Sequence, residues 1–143
     1  MPPLSGIIET CLYVEDTGKA SRFYEEVLGL HRIAGDDRLL AYSVAGKSVL
    51  LLFKRGSTAQ PPEFPGGTIP PHDGSSQNHL AFAISAEQIS AWEKQFEEHR
   101  IAIESRVHWP LGGTSIYFRD PDDNLLELAT LEFGPSIEAV PTV

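Results

Sequence analysis

Apolar and polar residues alternate with period two over residues 7–14: Ile8, Thr10, Leu12 and Val14 share one side, and Ile7, Glu9, Cys11 and Tyr13 the other. The segment is rich in β-branched and aromatic residues and predicts a first strand. Its even side is expected to pack on a helix, which leaves the side carrying Glu9 for something else. The period then changes. Ala20, Phe23, Tyr24, Val27 and Leu28 recur at helical spacing, Asp16 or Thr17 is the expected cap, and Gly29 supplies a left-handed stop. Three more strands are expected over residues 31–34, 39–44 and 48–54, with turns at 35–37 and 45–47. The unit reads as βαβββ.

The periodicity then disappears for a stretch. Residues 56–77 hold five prolines and four glycines, and a loop of that length inside a domain is either a linker or a flap over a site. The first pattern then returns. Leu80, Phe82 and Ile84 alternate with His79, Ala81 and Ala83 over 78–84, Ser85-Ala-Glu-Gln88 has the form of a capping box, and Ile89, Trp92 and Phe96 make a helical stripe. Strands are expected over 101–107, 114–119 and 125–130, with turns at 109–113 and 120–124. The second half is therefore also βαβββ. The chain reads as a single domain over 1–143: a first module at about 5–55, the loop at 56–77, a second module at about 78–130, and an irregular tail at 131–143. Aligning the first and fifth strands sets Glu9 opposite His79. The spacing is not constant elsewhere, so the repeat is one of structure rather than of sequence. The expected fold is α+β, with the sheets of two βαβββ modules curled around a shared cleft and helices outside.

Composition narrows the function classes. The chain has 143 residues and 41% hydrophobic content, an ordinary globular balance, but carries a net charge of −9. Residues 1–70 hold seven basic and eight acidic groups, net −1, and residues 71–143 hold four and twelve, net −8. That sign argues against nucleic acid and anionic membranes as partners. The single cysteine, Cys11, excludes an internal disulfide and any multi-cysteine zinc site. With no apolar run long enough to cross a bilayer and no leader-like start, a cytoplasmic setting is expected. No nucleophile elbow, phosphate loop, dinucleotide fingerprint or HExxH motif occurs; Gly112-Gly113-Thr114 reads as a turn.

Three polar residues stand on sides that otherwise read as buried: Glu9 on the first strand, His79 on the fifth and Glu127 between Leu126 and Leu128 on the eighth. Charged groups gathered in one cleft need a counter-charge, and a divalent metal supplies it. Cys11, Tyr13 and Tyr117 fall on sides that face the same cleft, while His72 in the loop and His108 beside Trp109 are further pocket candidates.

Several stretches resemble the vicinal oxygen chelate superfamily, which includes glyoxalases, bleomycin resistance proteins and extradiol dioxygenases. They are Leu12-Tyr-Val-Glu-Asp16 with Arg22-Phe-Tyr-Glu-Glu-Val-Leu-Gly-Leu30, Asn78-His-Leu-Ala-Phe82, and Tyr117-Phe-Arg-Asp-Pro-Asp-Asp-Asn-Leu-Leu-Glu-Leu128. The resemblance implies metal ligands on the first, fourth, fifth and eighth strands. Here that means Glu9, His79 and Glu127, with the fourth-strand position near Leu50 apolar. It also implies a homodimer. Two carboxylates and one imidazole suit Mn, Fe, Ni, Co, Zn or Mg as the divalent ion, whereas oxygen-activating iron usually sits in a set of two histidines and one carboxylate. The set therefore favours glyoxalase-like lyase or isomerase chemistry over extradiol cleavage: a small substrate chelates through adjacent oxygens and an enolate-type or oxyanion intermediate is stabilised. Glu9, His72 and His108 are the candidates for moving the proton. A fosfomycin-type reaction is disfavoured, because a phosphonate calls for cations and no Lys or Arg follows Arg119. The competing reading is a metal-free protein that sequesters a small molecule, as bleomycin resistance proteins do.

Overall fold

The computed structural model describes residues 1–60, 63–75, 77–110 and 112–130. The tail expected at 131–143 lies outside the described residues. The chain divides into two units, Met1–Ser76 and Gln77–Val143. The first holds β1 (Glu9–Val14), α1 (Thr17–Arg22) continued by one π turn (Phe23–Val27), β2 (His31–Gly35), β3 (Leu39–Val44), β4 (Ser48–Lys54) and a two-residue hairpin, β5 (Glu63–Phe64) with β6 (Gly67–Thr68). The second holds β7 (His79–Ile84), a 3₁₀ turn (Ala86–Gln88) leading into α2 (Ile89–Glu98), β8 (Ser105–His108), β9 (Thr114–Arg119) and β10 (Leu125–Thr130). Each unit forms one four-stranded mixed sheet of the same order, β1-β4-β3-β2 and β7-β10-β9-β8, with the first pair parallel and the rest antiparallel. This is the α+β pair of βαβββ modules that the periodicity predicts. No helix among the described residues is long and apolar enough to cross a membrane.

In the first unit the even side of β1 packs under the helix, as the alternation requires. Leu12, Val14, Leu40, Tyr42, Leu50 and Leu52 are buried there together with Ala20, Phe23, Tyr24, Val27 and Leu28. Ile8 departs from the expectation: it is exposed, as is Ile7. The paired ladder runs only from Glu9 opposite Val49 to Val14 opposite Lys54, so Ile8 stands just before it and is joined to β4 through its carbonyl, which accepts from the Val49 N–H at 2.9 Å. Asp16 caps the helix by accepting from the Lys19 N–H at 2.9 Å, and Gly29 adopts φ +66° at the stop. The π turn, closed by the Leu28 N–H on the Phe23 carbonyl at 3.3 Å, advances by a smaller angle per residue than an α-helix. It thereby draws Phe23, Tyr24, Val27 and Leu28 onto one narrow stripe.

The same turn presents Glu25 to two donors, the Tyr42 hydroxyl at 2.9 Å and the Arg32 Nε at 2.7 Å. Burial, then the bond to Glu25 and its charge, push the Tyr42 hydroxyl up to about 12. Burial would also raise Glu25, but the hydrogen bonds from Arg32 and Tyr42 outweigh it and hold the carboxyl below its usual range. An unfolded tyrosine ionises near pH 10, so the folded state binds the extra proton between roughly pH 10 and 12 and stability falls as pH rises through that window. Thermal melts should therefore show an alkaline loss of roughly 2–3 kcal/mol that Tyr42→Phe flattens. A wild-type melting curve indifferent to pH over that window would contradict the assignment.

In the second unit the Gln88 side chain accepts from the Ser85 N–H at 3.0 Å, as the capping box requires. Phe96 is fully buried and meets Phe118 with ring centroids 4.5 Å apart, seating α2 on the sheet. The strand expected over 101–107 is shorter and later, at Ser105–His108. Its first residues serve the helix end instead: Arg100 takes φ +56° and the Ile101 N–H bonds the Phe96 carbonyl at 2.8 Å. The loop of the first unit is more ordered than its composition suggests. Besides the hairpin, it closes on itself where the His72 N–H bonds the Thr58 carbonyl at 3.4 Å and the Thr58 hydroxyl donates to the His72 carbonyl.

Candidate metal-binding site

The odd side of the second sheet is set by strand register. Opposite residues share a side, so His79 with Leu125, Ala81 with Glu127 and Tyr117 with Glu127 all face the same way, away from α2. His79 and Glu127 meet diagonally across the parallel pair, with Nε2 3.1 Å from Oε2. The other ring nitrogen is committed: Nδ1 lies 2.9 Å from the Leu125 carbonyl. A carbonyl only accepts, so Nδ1 carries the hydrogen, and in a neutral ring Nε2 then presents a lone pair to a carboxylate oxygen. Two acceptors do not attract at that distance unless a proton or a cation lies between them. An imidazole held by a backbone carbonyl, with its free nitrogen beside a carboxylate, is a suitable pair of ligands for a divalent ion.

Burial divides the work. The Glu127 side chain is 11% exposed and the His79 side chain 49%, so the carboxylate forms the floor and the imidazole the rim. Small Ala81 beside Glu127 leaves space on that side. Tyr117 stacks on the His79 ring at 6.2 Å and 28°. Burial first, then the charge of Glu127, raises the Tyr117 hydroxyl above the ordinary tyrosine range, which keeps it a proton donor at neutral pH.

The alignment of β7 with β10 rests on a buried turn. Asp120 and Asn124 are 5% and 0% exposed. Asp120 Oδ1 accepts from the N–H groups of Asp122 and Asn124, each at 2.9 Å, and its Oδ2 from the Asn124 side-chain amide at 2.9 Å. Asn124 Oδ1 in turn accepts from the Asn78 N–H at 3.0 Å, while the Leu125 N–H bonds the Asn78 carbonyl at 2.8 Å. Asn78 directly precedes His79, so this network fixes where the imidazole starts. The sequence reading treats 120–124 only as a turn; the signal for more was an asparagine placed directly before a buried strand.

Equivalent register positions in the first unit differ in chemistry. Glu9, paired with Val49, occupies the place of His79, paired with Leu125. The place of Glu127 falls to Leu51, and that of Tyr117 to Ala41. The fourth-strand position expected near Leu50 is thus Leu51, since Leu50 points to the helix side and is buried there. Both are apolar, so β4 offers no ligand. Glu9 is exposed at the start of β1. Among the described residues no group of three His, Cys, Asp or Glu side chains gathers at metal-binding range. Of the expected trio, the second unit brings His79 and Glu127 together, while Glu9 stands in the first unit.

The remaining candidates are spread out. Tyr13 stacks on Phe53 at 5.9 Å and its hydroxyl is bonded to His72 Nδ1. Cys11 is exposed. His108 Nδ1 lies 3.1 Å from the Thr114 hydroxyl, and Trp109 donates to the Ser115 hydroxyl at 2.8 Å, so both are held within their own hairpin.

A family model described as the Glyoxalase/Bleomycin resistance protein/Dioxygenase superfamily matches residues 6–128. The chain belongs to this superfamily. Among superfamily relatives, the metallothiol transferase FosB of Staphylococcus epidermidis is 28% identical over 130 residues, covering 89% of this chain and 82% of that protein. The fosfomycin resistance protein FosX of Listeria innocua is 28% identical over 141 residues, covering 90% and 93% respectively. Among solved superfamily structures, a lactoylglutathione lyase from Agrobacterium tumefaciens aligns with a TM-score of 0.84 at 30% identity, over 94% of this chain and all of that one. The relatives named are a transferase, an antibiotic resistance protein and a lyase, so superfamily membership leaves the reaction to be argued from the site.

Proposed function

We propose that this chain is a divalent-metal-dependent enzyme that takes a small substrate through two adjacent oxygens and transfers a proton beside them, as a lyase or isomerase does. The observation that carries the reading is the facing pair of His79 Nε2 and Glu127 Oε2, with Nδ1 spent on a backbone carbonyl. His79 and Glu127 would hold the ion, and Glu9 is the third ligand that the family resemblance assigns. When bound, the ion supplies the positive charge that draws the two substrate oxygens and stabilises the oxyanion formed on deprotonation. The protein's own residues do the remaining work. The Leu125 carbonyl keeps the imidazole in one tautomer, and Tyr117 offers a protonated hydroxyl next to Glu127.

The arrangement weighs against phosphonate chemistry even though two relatives are named for fosfomycin resistance or metallothiol transfer. Arg119, the cation on the same side of the second sheet, is held by Glu104 at 2.7 and 3.1 Å and by the Asp123 carbonyl at 3.1 Å. An anion would have to displace that carboxylate. The test has two stages. Protein purified without chelator should contain about one equivalent of a divalent ion by elemental analysis, and should isomerise the hemithioacetal of glutathione and methylglyoxal in preference to consuming oxygen with catechols or modifying fosfomycin. Stoichiometric metal with fosfomycin turnover alone would replace the reaction class. Absence of bound metal after equilibration with Mn, Ni, Co, Zn and Fe(II) would favour the sequestering reading. The homodimer belongs to the same reading, and molar mass in solution measures it.

A further inference from the structure

The first unit contains a cavity of about 220 Å³ on the odd side of its sheet, lined by none of the proposed metal ligands. Its floor is the cross-strand pair Leu39 and Phe53. The loop supplies the opposite wall through Phe64 and Ile69, which are 56% and 47% exposed. Apolar side chains of that size left to water on either side of a concave space are unsatisfied surface. The space is also rigidly framed: Tyr13, Phe53 and His72 contact one another with centroids 4.9 to 5.9 Å apart. Gly74 lies so close to the Tyr13 ring that a methyl group there would sit 2.5 Å from it, so the loop is laid directly on this frame.

The polar groups at the cavity converge as donors. The backbone of Arg38 is pinned, its N–H bonding Asp36 Oδ1 at 2.7 Å and its carbonyl accepting from the Lys54 N–H at 2.8 Å. Its guanidinium makes one bond, from Nη2 to the Ser57 carbonyl at 2.6 Å, and no ion pair with any described carboxylate. Four of its five N–H donors therefore remain for a ligand. Asp36, the acidic residue of the lining, has Oδ1 occupied by two backbone N–H groups, those of Arg38 and Leu39. The Tyr13 hydroxyl and His72 Nδ1 are hydrogen-bonded to each other, which holds the imidazole in place at the cavity. Size sets the ligand class: an apolar cavity of about 150 Å³ holds benzene, so this one has space for a ring and one small substituent, and little more.

We propose that this cavity is a binding site for a single-ring aromatic carboxylate, with the ring between Phe53 and the Phe64–Ile69 wall and the carboxylate on Arg38. The proposal is independent of the metal-site reading. Its test is titration of the full-length ¹⁵N-labelled protein with benzoate, benzyl alcohol and benzylamine, followed by two-dimensional NMR. Benzoate should saturate with a Kd near or below about 1 mM and shift Leu39, Phe53, Ser57 and His72. Benzyl alcohol should bind on the order of tenfold more weakly, for want of the charge-assisted bonds. Arg38→Ala should bring benzoate down to the level of the alcohol, Arg38→Lys should retain part of the difference, and Phe64→Ala should weaken both ligands. If Arg38→Ala fails to fold, Arg38→Gln carries the same contrast, removing the charge while keeping a side chain of similar length. His79→Ala should leave benzoate binding unchanged. Benzylamine binding more tightly than benzoate, equal binding of acid and alcohol, no saturable shift in the cavity, or benzoate binding lost with His79 would each overturn the assignment.

Discussion

His79→Ala should lower the affinity for a divalent ion by at least about a hundredfold, because losing only the orienting partner of a ligating histidine already costs about 10–100-fold. Folding should be nearly unaffected. The ring is a half-exposed rim group, and its two recorded bonds run to the Leu125 carbonyl and the Glu127 carboxylate. Glu127→Gln should weaken the metal as strongly, since it removes the charge from the floor of the site while retaining its shape. Calorimetric titration with Mn²⁺ or Ni²⁺ measures both, with melting temperature as the control. A His79→Ala protein that binds the ion as wild type does would remove the basis of the metal-enzyme reading. A wild-type chain whose melting temperature ignores added ion would do the same.

Asn124→Ala should be the most destabilising single change in the second unit outside its apolar core. The asparagine is fully buried, and truncating it removes the acceptor of the Asn78 N–H and a side-chain donor to Asp120 Oδ2. Losing these two buried hydrogen bonds, one of them to a carboxylate, costs about 3 kcal/mol, roughly 6–12 °C in melting temperature for a chain of this size. The effect should extend to the metal. Because Asn78 leads directly into His79, the folded fraction of Asn124→Ala should bind the ion about tenfold or more weakly. Asn124→Asp keeps an acceptor for Asn78 but sets a second carboxylate against Asp120, so it should also be destabilised. Loss of stability with metal affinity intact would make the network structural only.

The sequence was most informative where a period is strict. The even side of β1 and the stripe of α2 follow from alternation and helical spacing, and the structure buries Leu12, Val14 and Phe96 accordingly. It was least informative where tertiary bonds replace a pattern. Residues 101–104 alternate as a strand does, yet Ile101 closes the end of α2. Ile8 alternates correctly but stands before the first paired position of β1, with its side chain exposed. At the site, the residues His79 and Glu127 could be chosen from sequence because each interrupts an apolar run. Their diagonal approach, the tautomer set by Leu125 and the shift from Leu50 to Leu51 depend on register, which no single strand encodes. The acidic segment at 120–124 misleads in the opposite direction: it reads only as a turn, yet Asp120 is almost wholly enclosed.

The π turn at Phe23–Val27 sets how the helix of the first unit responds to a change in length. Deleting one residue would allow a regular α-helix, in which four steps of about 100° replace five smaller π steps and the positions beyond the turn keep their phase on the sheet. A deletion that spares Glu25 should therefore leave Val27 and Leu28 covering the sheet, whereas one that removes Glu25 takes away the shared partner of Tyr42 and Arg32.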